Sequence, residues 1–107
     1  MGENSTAELI DLRKSLGLTQ AQMAERMGVA PRTYQDLEGE RAAVRDIHMR
    51  AAERAALDIA IERGNPMLAP APVRRAALRL AQMILGLDPI DHTPSPPPET
   101  KTAPRPE

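Results

Sequence analysis

The sequence predicts an all-α protein of five helices followed by a tail without regular structure, and three observations carry that prediction. The 107-residue chain has no Phe, no Trp and one Tyr, so its interior must be built from Leu, Ile, Val, Met and many Ala. Small side chains at that density let helices pack closely, and β-branched residues are too sparse for a sheet. Apolar residues also recur at spacings of three and four, the repeat of a helix face.

Residues 5–16 are predicted as the first helix. Ser5 and Glu8 have capping-box spacing with Ser5 as N-cap, Leu9, Leu12 and Leu16 make one apolar face, and Gly17 stops the helix. Residues 19–27 are the second, with Thr19 and Gln22 repeating the capping-box spacing, Met23, Ala24 and Met27 facing inward, and Gly28 placed as a left-handed stop. Residues 31–38 are the third. Pro31 suits the first helical position, Ala30 is a poor N-cap, and Tyr34 and Leu37 face inward. Residues 45–63 make a long Ala-rich helix closed by Gly64-Asn65-Pro66, and Pro66, Pro70 and Pro72 stiffen a connector over 65–72. Residues 73–86 make the fifth helix, with an apolar stripe through Val73, Ala77, Leu80, Met83, Ile84 and Leu87, and Arg74, Arg75 and Arg79 opposite. Seven of the last twenty residues are Pro, a composition that cannot bury enough apolar surface to order itself. The organisation is therefore a helical domain over 1–64, a connector and helix over 65–87, and a disordered Pro-rich tail over 88–107.

Several function classes are excluded at this stage. Without Cys there are no disulfides and no thiolate zinc sites, and His48 and His92 are isolated, so no metal or other cofactor is expected. No Ser nucleophile is paired with a His, and there is no phosphate-binding Gly loop and no carboxylate cluster on one helix face, so an enzyme is not expected. The N-terminus lacks the basic and apolar runs of a signal peptide, and no stretch is long enough to span a membrane, which points to a cytoplasmic protein. Charge gives no global attraction to nucleic acid. The net is −1, and residues 1–87 hold twelve Arg and Lys against eleven Asp and Glu.

The informative stretch is LTQAQMAERMGVAPRTYQDLE, residues 18–38. Two short helices meet across Gly28-Val29-Ala30, the arrangement of a helix-turn-helix. Ala24 must be small where the third helix crosses, Gly28 must take positive φ, Val29 fills the space between the helices, and Leu37 anchors the second of them.

Residues 9–44 resemble the Cro/C1-type (XRE-like) helix-turn-helix family of bacterial and phage transcription regulators. The residues that carry the likeness are Leu16-Gly17-Leu18-Thr19-Gln20, Met23-Ala24, Met27-Gly28-Val29 and Leu37-Glu38. The resemblance implies a domain of the lambda-repressor-like type whose third helix enters the major groove of double-stranded DNA. Base contacts then fall to Pro31, Arg32, Thr33, Gln35 and Asp36, with Arg32 the candidate to grip guanine O6 and N7 together. Phosphate contacts fall to Thr19, Gln20, Arg41 and Arg45. Arg13 and Glu38 correspond to a largely buried ion pair locking the first helix to the third. The chain departs from the family pattern at four places: Ala30 replaces a small polar cap, Tyr34 an aliphatic residue, Gly39-Glu40 reverses the usual order of any residue then Gly, and Val44 stands where Pro is common.

The last two helices carry more apolar surface than one small core can hide. Ile47, Ala51, Ile59, Leu80, Met83 and Ile84 are assigned to a two-fold dimer interface, which implies a homodimer on a near-palindromic operator. The expected function is a sequence-specific regulator acting as a repressor. The alternative is an antitoxin or other interaction module of the same fold that holds a protein partner with its flexible tail.

Overall fold

The computed structural model describes residues 2–87, with side chains described from residue 5; the Pro-rich tail, with His92, lies outside the described residues. The described residues form five α-helices and one 3-10 turn, without strands: α1 (Gly2–Ser15), α2 (Gln20–Met27), α3 (Pro31–Glu38), α4 (Asp46–Arg63), a 3-10 turn at Pro66–Leu68, and α5 (Ala71–Ile84). The chain divides into two units, Met1–Arg74 and Arg75–Glu107.

In the first unit α2 packs on α3 and α4, and α1 packs on the same two helices. The core between them holds Leu9 from α1 and Leu16 just after it, Met23, Ala24 and Met27 from α2, Tyr34 and Leu37 from α3, Val44 from the loop, and Ala52, Ala55, Ala56 and Ile59 from α4. Burying a large apolar side chain of this kind contributes ~1.5–3 kcal/mol, so the six largest fully buried residues, Tyr34, Leu9, Leu16, Met23, Leu37 and Ile59, carry most of the fold. Ala24 is fully buried, in keeping with the close crossing of α2 and α3.

Local chemistry sets the helix ends. Thr19 caps α2 as expected: its hydroxyl accepts from the Gln22 N–H at 3.1 Å, and the Gln22 carboxamide accepts from the Thr19 N–H at 2.9 Å. Gly28 closes α2 with φ +80°, while its N–H bonds the Glu25 carbonyl and the Val29 N–H bonds the Ala24 carbonyl. That pair of bonds is the Schellman motif. The start of α1 differs from expectation. The helix begins at Gly2, so Ser5 lies within it and is not its N-cap. Thr6 is also buried, because Thr6, Leu9, Arg13 and Leu16 follow one another at spacings of three and four and share the inner face.

His48 occupies the third position of α4, where a capping box has Glu or Gln. Its Nδ1 accepts from the Arg45 N–H at 2.9 Å, so this side chain serves helix initiation. At the other end, the connector belongs with the first unit. Asn65 Oδ1 accepts from the Met67 N–H at 3.1 Å, Leu68 packs on the core, and Ala69 is buried. Helix α5 starts two residues earlier than expected and takes Pro72 into its first turn, where no N–H is needed.

The exit of α3 explains one departure from the family pattern. Gly39 has an ordinary φ of −84°, whereas Glu40 sits at +62° and is the sole non-Gly residue at positive φ among those described. The bonds around it, Glu40 N–H to Leu37 carbonyl and Arg41 N–H to Asp36 carbonyl, are again those of a Schellman motif. The left-handed position therefore falls on a residue with a Cβ, at a cost of about 1 kcal/mol. Glu40→Gly is expected to stabilise the domain by at most ~0.5 kcal/mol, net of the added freedom of glycine in the unfolded chain. Urea denaturation checks this, and an unchanged or lowered midpoint would contradict it.

Candidate nucleic-acid interface

Helix α3 is two-sided. Tyr34 and Leu37 point into the core, while Pro31, Arg32, Thr33 and Gln35 are exposed and Asp36 is half-buried. Ala30 supplies no side-chain hydrogen bond to the helix start. The first N–H groups of α3 thus keep their capacity for an external acceptor, at the positive end of the helix dipole. The sequence-assigned base contacts lie together on this outer face, with the Arg32 side chain 81% exposed.

Behind that face, three side chains converge on one carboxylate. Glu38 accepts from Arg13 Nε at 2.6 Å and Arg13 Nη2 at 3.1 Å, a bidentate pair. It also accepts from Gln20 Nε2 at 2.8 Å and from the Tyr34 hydroxyl. Arg13 turns its remaining Nη1 to the Leu18 carbonyl at 3.0 Å, which ties the α1–α2 corner into the same group. Burial opposes charge on Glu38, but the hydrogen bonds from Arg13, Tyr34 and Gln20 outweigh it and hold the carboxyl below the usual range. Burial, together with the bond to the Glu38 carboxylate, pushes the Tyr34 hydroxyl well above the ordinary phenol value. The Arg13–Glu38 pair assigned from sequence is therefore present. Tyr34 completes it and is fully buried.

The assigned phosphate contacts divide. Arg41 and Arg45 are exposed beyond α3, Arg45 at the start of α4. Thr19 is exposed, and its oxygen caps α2, which leaves the O–H as a donor. Gln20 is turned back onto Glu38, and only the second N–H of its carboxamide remains for an outside acceptor. Asp36, assigned to a base, instead accepts from Arg41 Nε at 2.9 Å and lies 3.6 Å from Arg32 Nε. The i,i+4 spacing of Arg32 and Asp36 is visible in the sequence; the Arg41 contact depends on the left-handed turn at Glu40 and is not.

One dimer assignment on α4 needs correction. Ile59 is fully buried in the core of its own chain and is not available to a partner, while Ala51 is partly buried against that core. A line of residues at every fourth position turns about 40° per step, which puts Ile47 and Ile59 about 120° apart around α4. Ile47 is accordingly 71% exposed. The sequence also missed the link between α2 and α4, where Arg26 Nη1 and Nη2 each donate to a Glu62 carboxylate oxygen at 2.6 Å.

Comparison with protein families matches residues 9–54 to the helix-turn-helix family. Comparison with curated proteins and with solved structures gives no match. No described helix is long and apolar enough to cross a membrane. With two short helices meeting at a left-handed Gly28, an outward row of polar residues on the second, and the Arg13–Glu38 lock beneath it, the domain over residues 9–54 belongs to the Cro/C1-type helix-turn-helix family of DNA-binding regulators.

Proposed function

We propose that the protein is a sequence-specific repressor that binds a near-palindromic operator as a homodimer and reads each half-site with α3 in the major groove. The observation that carries this reading is the outer face of α3: an uncapped helix start followed by exposed Pro31, Arg32, Thr33 and Gln35. In this reading Arg32 bonds a guanine edge, Gln35 an adenine, and Thr33 a phosphate or a thymine methyl. Thr19, Arg41 and Arg45 meet phosphates, with the free N–H of Gln20 beside them. A dimer of this size acts by occupying a promoter. The near-zero net charge of the chain is no obstacle, because phosphate contacts depend on local cations and helix N-termini. It does imply modest affinity per monomer.

Dimerisation is supported by α5. The helix buries none of its residues, and Leu80, Met83, Ile84 and Leu87 are between 56% and 74% exposed.

Fluorescence anisotropy on DNA from upstream of the gene tests the reading. Wild type is expected to bind one fragment over random duplex and to weaken steeply with salt. Arg32→Ala is expected to lose about tenfold to a hundredfold of the preference at one base pair of each half-site, the ~1–3 kcal/mol of a bidentate arginine–guanine contact. Equal binding of all fragments by wild type would overturn the proposal.

A further inference from the structure

We infer that Asp36 is a specificity-determining positioning residue, whose carboxylate holds the Arg41 and Arg32 guanidinium groups across the outer face of α3 and keeps them from gripping the phosphates of unmatched DNA. The inference rests on the DNA-binding reading above. Three observations converge on it. Arg41 Nε donates to Asp36 Oδ1 at 2.9 Å, and Arg32 Nε lies 3.6 Å from the same oxygen. The two arginine side chains are 61% and 81% exposed, whereas Asp36 is 29% exposed, so the fixed member is the carboxylate and the adjustable ones are the cations. Gly39 then makes room: a Cβ there would come within 3.0 Å of Arg41 Nη1 and 3.3 Å of its Cζ.

The last observation gives the reversed Gly39-Glu40 order a consequence. Placing Gly first leaves Glu40 in a left-handed conformation, yet it lets Arg41 fold back over the end of α3 onto Asp36. An exposed pair contributes ~0–1 kcal/mol to stability, so the consequence of this one lies in where it holds the guanidinium groups. A carboxylate on a DNA-facing helix repels phosphate wherever the protein lands. On random duplex, Arg41 can reach a phosphate only by leaving Asp36, which then faces the backbone unpaired. On a matched site Arg41 also turns to a phosphate, but Arg32, held at a base edge, keeps its pairing with Asp36, so the carboxylate is not left unpaired there. Asp36 therefore discriminates by penalising the wrong complex more than it aids the right one.

The test compares full-length wild type with Asp36→Asn and Gly39→Ala, using two duplexes: the best binder selected by wild type from a random library, and a random duplex. In the free proteins, NMR of arginine Nε–H groups reads the clamp directly. Wild type is expected to show a slowly exchanging Arg41 Nε–H that both variants lose. Asp36→Asn should bind random duplex about fivefold more tightly, and its ratio of selected to random affinity should fall about tenfold. Its salt slope on random duplex should steepen by ~0.9, the value of one added phosphate contact. An Arg41 Nε–H signal indifferent to Asp36→Asn would overturn the inference, as would loss of the signal with an unchanged affinity ratio. Failure of wild type to bind any duplex would overturn the DNA-binding reading itself, and wild type alone would show it.

Discussion

Arg13→Ala is expected to lower the stability of the domain by ~3 kcal/mol, enough to bring a small domain close to its unfolding threshold at physiological temperature. The side chains of Arg13 and Glu38 are 16% and 7% exposed. Removing the guanidinium takes two hydrogen bonds from a carboxylate that has almost no access to water and frees the Leu18 carbonyl as well. Tyr34 and Gln20 still donate to Glu38, which keeps the loss at the lower end for a broken buried pair. Glu38→Gln keeps an acceptor and loses the charge, and should cost about 2 kcal/mol. Acid separates these variants further. Because the folded-state pKa of Glu38 is depressed, its contribution is present above the unfolded-state value of about 4.3 and is lost as pH falls through the folded value. Wild type should therefore lose stability on acidification more steeply than Glu38→Gln, which has no proton to take up there. Urea titrations at pH 7 and below pH 4 measure both effects. A stability of Arg13→Ala within 1 kcal/mol of wild type would show that the network is not the lock between α1 and α3.

Much of this arrangement is legible in the sequence where its cause is local. The capping box at Thr19, the left-handed stops at Gly28 and Gly64, and the boundaries of α2 and α3 each follow from residues within five positions of one another. The Arg13–Glu38 pair is legible only through the likeness to the family, since Arg13 lies on the inner face with Thr6, Leu9 and Leu16 and finds its partner 25 positions away. The contacts that could not be read depend on the chain turning back. Gln20 reaches Glu38 across 18 positions, and Arg41 reaches Asp36 through a left-handed residue that sequence pattern would place on a glycine. The error on α4 was one of period. Equal spacing by four resembles a face over two turns and has rotated off it by the third, which is why Ile59 belongs to the core and Ile47 to the surface.

That rotation leaves α5 to carry the proposed dimer, and Leu80→Asp with Ile84→Asp is expected to abolish it. An isolated helix shorter than about 12–15 residues is marginal in water. Helix α5, at 14 residues, buries none of its side chains yet places Leu80, Met83 and Ile84 along a strongly amphipathic face, with exposed Leu87 just past its end. Covering that face with the same face of a second copy removes apolar surface from water at ~25 cal/mol per Å² and gives the helix the tertiary support that its length requires. The double variant places two carboxylates where the faces would meet, so its mass by light scattering should fall from dimer to monomer. Part of the helical circular dichroism should go with it, while the core of residues 5–69 remains folded. Operator binding then changes in kind. A dimer holds two recognition helices about 34 Å apart, one turn of DNA, and the second half-site is engaged at a high effective concentration. Losing that linkage should weaken binding to the full operator by ~10²–10⁴-fold while leaving affinity for an isolated half-site unchanged. If the variant kept the mass of wild type, the interface would lie elsewhere, and exposed Ile47 on α4 would be the next position to charge. If it became monomeric with full operator affinity, the two-fold reading of the operator would fall, and each domain would act on its site alone.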